Sequence, residues 1–197
     1  MYPKAFLQLI SFFKKLPGVG TKTAERFVFE ILNFKNEDIN NFGDILKNIK
    51  EKILTCKKCN CLIESNFCSF CDSISRDTNK MCILSNFKDV VLIEKTGVYK
   101  GLYHILKNLI SPLNGHDFES IDLKGLKERV VKNKIEEIIL GLDSTLEGDT
   151  TALFIKENLK EFNIKISRFA FGLPMGTSLD FIDKTTLLQA LIDRKPF

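Results

Sequence analysis

Five of the six cysteines of this 197-residue chain fall within one stretch, CKKCNCLIESNFCSFC, at positions 56–71. Cys56 and Cys59 form one C-x-x-C pair, Cys68 and Cys71 form a second, and eight residues separate the two. Each pair suits a tight turn that presents two thiolates to one ion, and two such turns complete a tetrahedral site of four sulfur ligands. The spacing predicts one zinc ion per chain, held by Cys56, Cys59, Cys68 and Cys71. Redox chemistry is the main competitor, but it ordinarily uses a single pair beside a strand-to-helix unit. Cys61 and Cys82 lie outside the pattern and are expected as free thiols. Four cysteine ligands leave no open position for a catalytic water. The intervening residues 60–67, NCLIESNF, offer little core of their own. The ion is therefore expected to act as a structural staple, supplying folding energy on the order of 10 kcal/mol.

The charge is unevenly spread. Residues 1–80 carry 13 Lys and Arg against 9 Asp and Glu, while residues 81–197 carry 16 of each, so the net +4 belongs to the first part. A polyanion partner is sought there first, the alternative being a solvated basic face. The opening MYPKAFLQLISFFKK has the apolar look of a signal peptide, but Gln8 interrupts it and Lys14 and Lys15 follow. No small-residue cleavage site is present. Phe6, Leu9, Ile10 and Phe13 instead share one face of a helix. No apolar run approaches the roughly 18 residues of a membrane span. The chain reads as cytoplasmic, where stable disulfides are rare.

Leu16-Pro17-Gly18-Val19-Gly20 then interrupts the pattern, and Ala24, Phe27, Val28, Ile31 and Leu32 resume it at helical spacing. This predicts a helix, a short turn and a second helix. The glycines let the backbone approach a partner closely, and the free N–H groups of the next helix's first turn form a phosphate cradle. Lys22 and Arg26 lie four apart in the first turns of that helix. Cations there oppose the helix dipole and each other, at a cost of a few tenths of a kcal/mol each. A bound phosphate would reverse the sign. The segment resembles the helix-hairpin-helix motif of DNA-binding proteins, whose signature is hydrophobic-x-Gly-hydrophobic-Gly, and the resemblance makes Gly18, Gly20, Lys22 and Arg26 candidate DNA contacts; the plainer reading is a turn between packed helices with two solvated cations. A further helix is expected over 37–54, with Ile39, Phe42, Leu46, Ile49 and Ile53 on one face.

Beyond the cysteines the pattern changes. MCILS (81–85), VVLIE (90–94), EIILGL (137–142) and NIKISRFAFG (163–172) read as strands, with helical patterns at about 122–133 and 149–161. Such alternation predicts an α/β fold with a mostly parallel sheet flanked by helices, whose function sits at the carboxyl ends of its strands. Glu94 would close one strand, Asp143 would follow another, and Glu147-Gly148 would open the next helix. His104, in an apolar stretch, is expected as a packed histidine.

This half resembles a Toprim domain, the metal-binding fold of topoisomerases, primases and related nucleases. That family places a Glu after its first strand and an Asp-x-Asp after a later one. Glu94 matches the Glu and Asp143 the first Asp, but Thr145 stands at the second. A hard divalent ion wants several carboxylates together. Glu94 and Asp143 are therefore a candidate weak divalent site, with magnesium left open, or else simply polar strand ends.

The whole order resembles the RecR family over nearly the full chain. The resemblance rests on LPGVGTKTAERF, the two C-x-x-C pairs, EKTGVYKGLYHILKNLISPLNG (94–115), DSTLEGDTTALFI (143–155) and a C-terminal GLPMG…TLLQAL. It implies a helix-hairpin-helix domain over 1–54, a four-cysteine zinc element over 55–72, a Toprim-like domain over 79–172 and a C-terminal assembly region over 173–197. It further implies a non-catalytic mediator of recombination and DNA repair. Such proteins work with RecO, or in another branch RecF, to load RecA onto single-stranded DNA coated by single-strand-binding protein. They form ring-like homotetramers or dimers around DNA, joined through the helix-hairpin-helix and the C-terminal region, with Lys22 and Arg26 at positions facing the DNA. Asp143 stands where most relatives have Asn. The alternatives are a Toprim-type nuclease or primase-like enzyme using Glu94 and Asp143, and a zinc-stabilised module that binds only protein.

Overall fold

The structure, a computed structural model, describes residues 2–72, 74–170 and 172–194. It divides into two compact units, Met1–Ile53 and Leu54–Phe197.

The first unit is helical: α1 spans Lys4–Phe13, α2 Thr21–Leu32 and α3 Asn36–Lys52. The periodicity of the sequence is realised directly. Phe6 and Ile10 of α1 meet Ala24 and Val28 of α2, with Phe13 and Val19 packed beside them. Aromatic pairs extend the contact, Tyr2 stacking on Phe6 at 4.5 Å and Phe13 meeting the Phe27 ring edge-on at 5.7 Å. Helix α3 carries Glu37 and Asp38 in its first turn and Lys50 and Lys52 in its last, which complements its dipole. Yet α3 buries none of its residues within the chain, and Ile39, Phe42, Leu46, Ile49 and Ile53 all stay exposed.

The second unit begins with a short antiparallel ribbon, β1 (Leu54–Thr55) paired with β2 (Leu62–Ile63), which brackets the first cysteine pair. A four-stranded parallel sheet follows, built from β3 (Asp77–Leu84), β4 (Gly101–Ile105), β5 (Glu137–Gly141) and β6 (Lys165–Arg168) in the order β4-β3-β5-β6. Helices α4 (Phe87–Lys95), α5 (Leu123–Asn133) and α6 (Leu146–Leu159) connect successive strands. Alternation along β3 separates two cores. Met81 and Ile83 point to one face, with Leu126 and Val130 of α5 and Ile155 and Leu159 of α6. Cys82 and Leu84 point to the other, with Val90 of α4, Tyr103 and the cysteine element. The C-terminal region adds α7 (Lys184–Ile192), whose first turn is capped by Asp183 accepting from the N–H groups of Thr185 and Thr186 at 3.0 Å. No helix among the described residues is long and apolar enough to cross a membrane.

The expected strands near 81, 137 and 163 form, as do the helices near 122 and 149. One expectation is overturned. VVLIE is not a strand but the body of α4, and the strand in that part of the chain is GLYHI, all five of whose residues are buried. A five-residue apolar run fits either state. Here the local signal favours helix, because the Asn86 side chain caps α4 by accepting from the Asp89 N–H at 3.2 Å. Phe171, in the expected 79–172 domain, and residues 195–197, in the expected 173–197 region, lie outside the described residues.

Candidate functional site

Cys56, Cys59, Cys68 and Cys71 converge as the spacing requires, with their Sγ atoms all within 4.8 Å of one another. Backbone geometry makes the two turns. Asn60 N–H donates to Cys56 O at 2.9 Å and Cys56 N–H to Cys61 O at 2.8 Å, while Cys71 and Asp72 N–H both donate to Cys68 O at 3.0 and 2.8 Å. Asn60 adopts a positive φ of 62°, a conformation Asn tolerates better than most residues. The turns are tied together by Lys58, whose Nζ lies 2.6 Å from Asp72 Oδ1, and Asp72 Oδ2 accepts from Cys68 N–H at 3.1 Å.

Burial of Cys56 is outweighed by bonds from the Cys59 and Lys58 N–H groups, which lower it, but the other three sulfurs are poorly placed as thiolates without a cation. Burial, then the neighbouring Cys71, pushes Cys68 up to about 11. Contact with Cys59, then burial, pushes Cys71 up as well. A tetrahedral ion with metal–sulfur bonds near 2.3 Å would hold its ligands about 3.8 Å apart. The Cys59–Cys68 sulfur pair stands at 3.6 Å. The donor set fits a zinc-type ion, which would supply charge balance and cross-linking at this place. Cys61 and Cys82 are both fully buried and stand outside the four-sulfur group.

The element is fastened to the edge strand of the sheet and covers it. Strand β4 ends the strand order, so one row of its backbone groups has no strand partner. Ile105 N–H donates to Cys59 O at 2.9 Å, and Asn60 Nδ2 donates to Ile105 O at 2.7 Å. Arg129 of α5 donates to Tyr103 O at 2.8 Å, to His104 Nδ1 at 3.0 Å and to Cys71 Sγ at 3.6 Å. His104 is a packed residue, 4% exposed, and burial, then the Arg129 charge, lowers it to about 3. Nothing in the sequence pattern pointed to Arg129.

Glu94 and Asp143 are not brought to one point. Glu94 sits in the last turn of α4 rather than at a strand end, and the residue that follows the first strand of the parallel sheet is Ser85. Both Glu94 carboxylate oxygens bind Arg76, at 2.8 and 2.7 Å, and Tyr103 Oη donates to one of them at 2.6 Å. The Arg76 guanidinium, then the Tyr103 hydroxyl, holds the Glu94 carboxyl below its usual value against the cost of burial. Asp143 does follow β5, but it lines a separate hollow of about 330 Å³ beside Asp89. Burial, then the Asp143 charge, raises Asp89, whose Oδ2 is buried without a hydrogen-bond partner. Thr145 serves as the cap of α6, its hydroxyl accepting from Gly148 N–H at 3.1 Å.

In the helical unit, Gly18 has φ +80° and closes the turn, with Val19 N–H donating to Leu16 O at 3.1 Å. Gly20 is the N-cap of α2 and gives no side-chain cap, and no acidic residue occupies that helix's first turn. Lys22 and Arg26 are both exposed, and a Cβ added at Gly18 or Gly20 would meet nothing within 4 Å. Open backbone, uncapped N–H groups and two cations therefore share one end of α2.

Comparison with known proteins covers both units. The family model described as RecR, helix-hairpin-helix matches residues 6–50, the Toprim domain model matches 79–170, and the model described as RecR, C-terminal matches 172–195. The recombination protein RecR of Protochlamydia amoebophila is 46% identical, over 100% of this chain and 99% of that protein. The protein of the same name from Chlamydia trachomatis serovar D is 42% identical over 100% of this chain and 98% of its own. That of Natranaerobius thermophilus is 37% identical over 98% of each.

Proposed function

The chain belongs to the RecR family of recombination proteins, and on that premise we propose that it is a non-catalytic, DNA-binding mediator of recombination and repair. The observation that carries the reading is the full-length match to proteins named for recombination, helix-hairpin-helix included. The proposed role is to act in the cytoplasm with RecO, and in some settings RecF, to help load RecA onto single-stranded DNA coated by single-strand-binding protein. DNA would run against Gly18, Gly20, Lys22 and Arg26, where uncapped N–H groups and exposed cations favour phosphate. Several copies assembled as a dimeric or tetrameric ring would repeat this weak contact and raise its effective concentration. Cys56, Cys59, Cys68 and Cys71 would hold one structural zinc.

The nuclease or primase-type alternative asks Glu94 and Asp143 to share a divalent ion. Its weakness is that Glu94 gives both oxygens to Arg76 while Asp143 lines another hollow. The purified protein is expected to leave supercoiled DNA intact with magnesium or manganese. Nicking that disappears in Asp143→Ala would restore the enzyme reading. The direct test of the mediator reading is mass in solution with and without DNA. A dimer or tetramer that gains the mass of one DNA molecule supports it, and a monomer indifferent to DNA at moderate salt favours the protein-only module.

A further inference from the structure

We infer that Arg129 is the outer partner of the metal centre, holding the Cys71 thiolate and the edge strand of the sheet in one guanidinium and so setting how tightly the ion is retained. This rests on the reading of the four cysteines as a zinc site. A divalent ion with four thiolates carries a net charge of −2, and a buried site is stabilised by a nearby cation that offsets it. Lys58 and Arg129 both stand beside the cysteines. Lys58 is exposed and already engaged with Asp72. Arg129 is less exposed, and it is the one that reaches a ligand sulfur, at 3.6 Å.

Its geometry is over-determined. One guanidinium nitrogen donates to Tyr103 O and His104 Nδ1, and the other to Cys71 Sγ. A guanidinium donates only, so His104 must accept at Nδ1 and carry its proton on Nε2. The buried imidazole is neutral and adds no competing charge. The guanidinium is planar, so fixing one nitrogen against the edge strand fixes where the other points. The position of Arg129 on α5 is set in turn by Leu126 and Val130, both buried in the core on the opposite face of the sheet. The charge that steadies the metal thus comes from the far layer of the fold, reaching round β4. A sulfur that accepts such a bond is a weaker electron donor to its metal and is less readily protonated and lost.

The test uses the full chain as Arg129→Met and Arg129→Lys. Elemental analysis of the unaltered protein comes first, because absence of one zinc per chain sinks the zinc reading itself, whatever Arg129 does. With zinc present, transfer to a chromogenic chelator is expected to be about tenfold faster in Arg129→Met, in line with the effect of removing an outer partner of a metal ligand. Arg129→Lys, which keeps the charge but cannot span all three acceptors, is expected to fall between. In cobalt-substituted protein the sulfur-to-metal charge-transfer band is expected to move to lower energy in Arg129→Met and part of the way in Arg129→Lys. A purely structural role would lower the melting temperature without moving that band. If the Met variant does not fold, Arg129→Lys alone decides. Unaltered release rate and unaltered band in every variant that folds would overturn the inference.

Discussion

A cysteine ligand and a carboxylate illustrate how differently single residues can matter in one small domain. On the proposed reading, each of Cys56, Cys59, Cys68 and Cys71 supplies one corner of a metal site whose occupancy would be part of the folding free energy. Replacing any one with Ser is expected to abolish stoichiometric zinc and to cost several kcal/mol, on the order of a third of the binding energy of such a site. Cys61→Ser and Cys82→Ser are expected to keep one zinc per chain while costing about 1–2 kcal/mol, because each puts a hydroxyl into a fully buried position. Elemental analysis with thermal unfolding separates the two groups, and zinc lost from Cys61→Ser would reassign the ligands. Glu94 acts through Arg76 instead. Its side chain is about one-third exposed and that of Arg76 is 9% exposed, so Glu94→Gln is expected to cost about 2–3 kcal/mol at neutral pH. The sign with pH follows from a depressed folded-state value. The stabilisation is present above the ordinary carboxyl range and is lost as pH falls through the depressed value. The gap in unfolding free energy between the unaltered protein and Glu94→Gln should therefore narrow as the buffer is acidified. A gap that is constant with pH would mean that the ion pair contributes nothing net.

Among the elements, α2 is where charge and backbone disagree most openly. Its first turn holds no acid and no side-chain cap, while Lys22 and Arg26 face outward. Their side chains lie away from Ala24 and Val28, which are wholly buried against α1. The double change Lys22→Ala, Arg26→Ala should leave the fold and the metal content unaltered. Removing two cations that oppose the helix dipole should even stabilise the unit slightly, by about 0.3–1 kcal/mol. DNA affinity is expected to fall steeply. The log–log salt dependence should flatten by about 0.9 per phosphate contact removed. A folded, fully assembled double variant that binds DNA with unchanged affinity and unchanged slope would assign the turn to subunit packing and move the DNA path elsewhere.

At the level of the whole molecule, α3 poses a problem of burial. None of its residues is buried, and on its apolar face Phe42 is left 41% and Leu46 54% exposed. A helix stripe of this width ordinarily covers another surface, and a ring of copies would provide one. Leu46→Asp places a charge in the middle of that stripe without touching the packed α1–α2 core. It is expected to lower the mass seen by light scattering or sedimentation at micromolar concentration while leaving the circular dichroism of the chain in place. An assembly of unchanged mass would show that this face lies outside the contacts between copies.

What could be read in the sequence was whatever is encoded over short separations. Two C-x-x-C turns place their sulfurs by spacing alone, and the α1–α2 pair follows from a 3.6-residue period broken by Pro17 and two glycines. The parallel sheet followed from alternating patterns. Those patterns failed where a five-residue apolar run was too short to carry a period, and VVLIE became helix while the neighbouring GLYHI took the strand. That exchange moved Glu94 from an imagined strand end into a bond with Arg76, eighteen residues earlier in the chain. Arg129 and Cys71 meet across fifty-eight residues, a contact that neither residue's local surroundings encode. Spacing fixes partners a turn apart. A bond between layers depends on which way the sheet twists and which strand is left at its edge, and only the packed chain decides that.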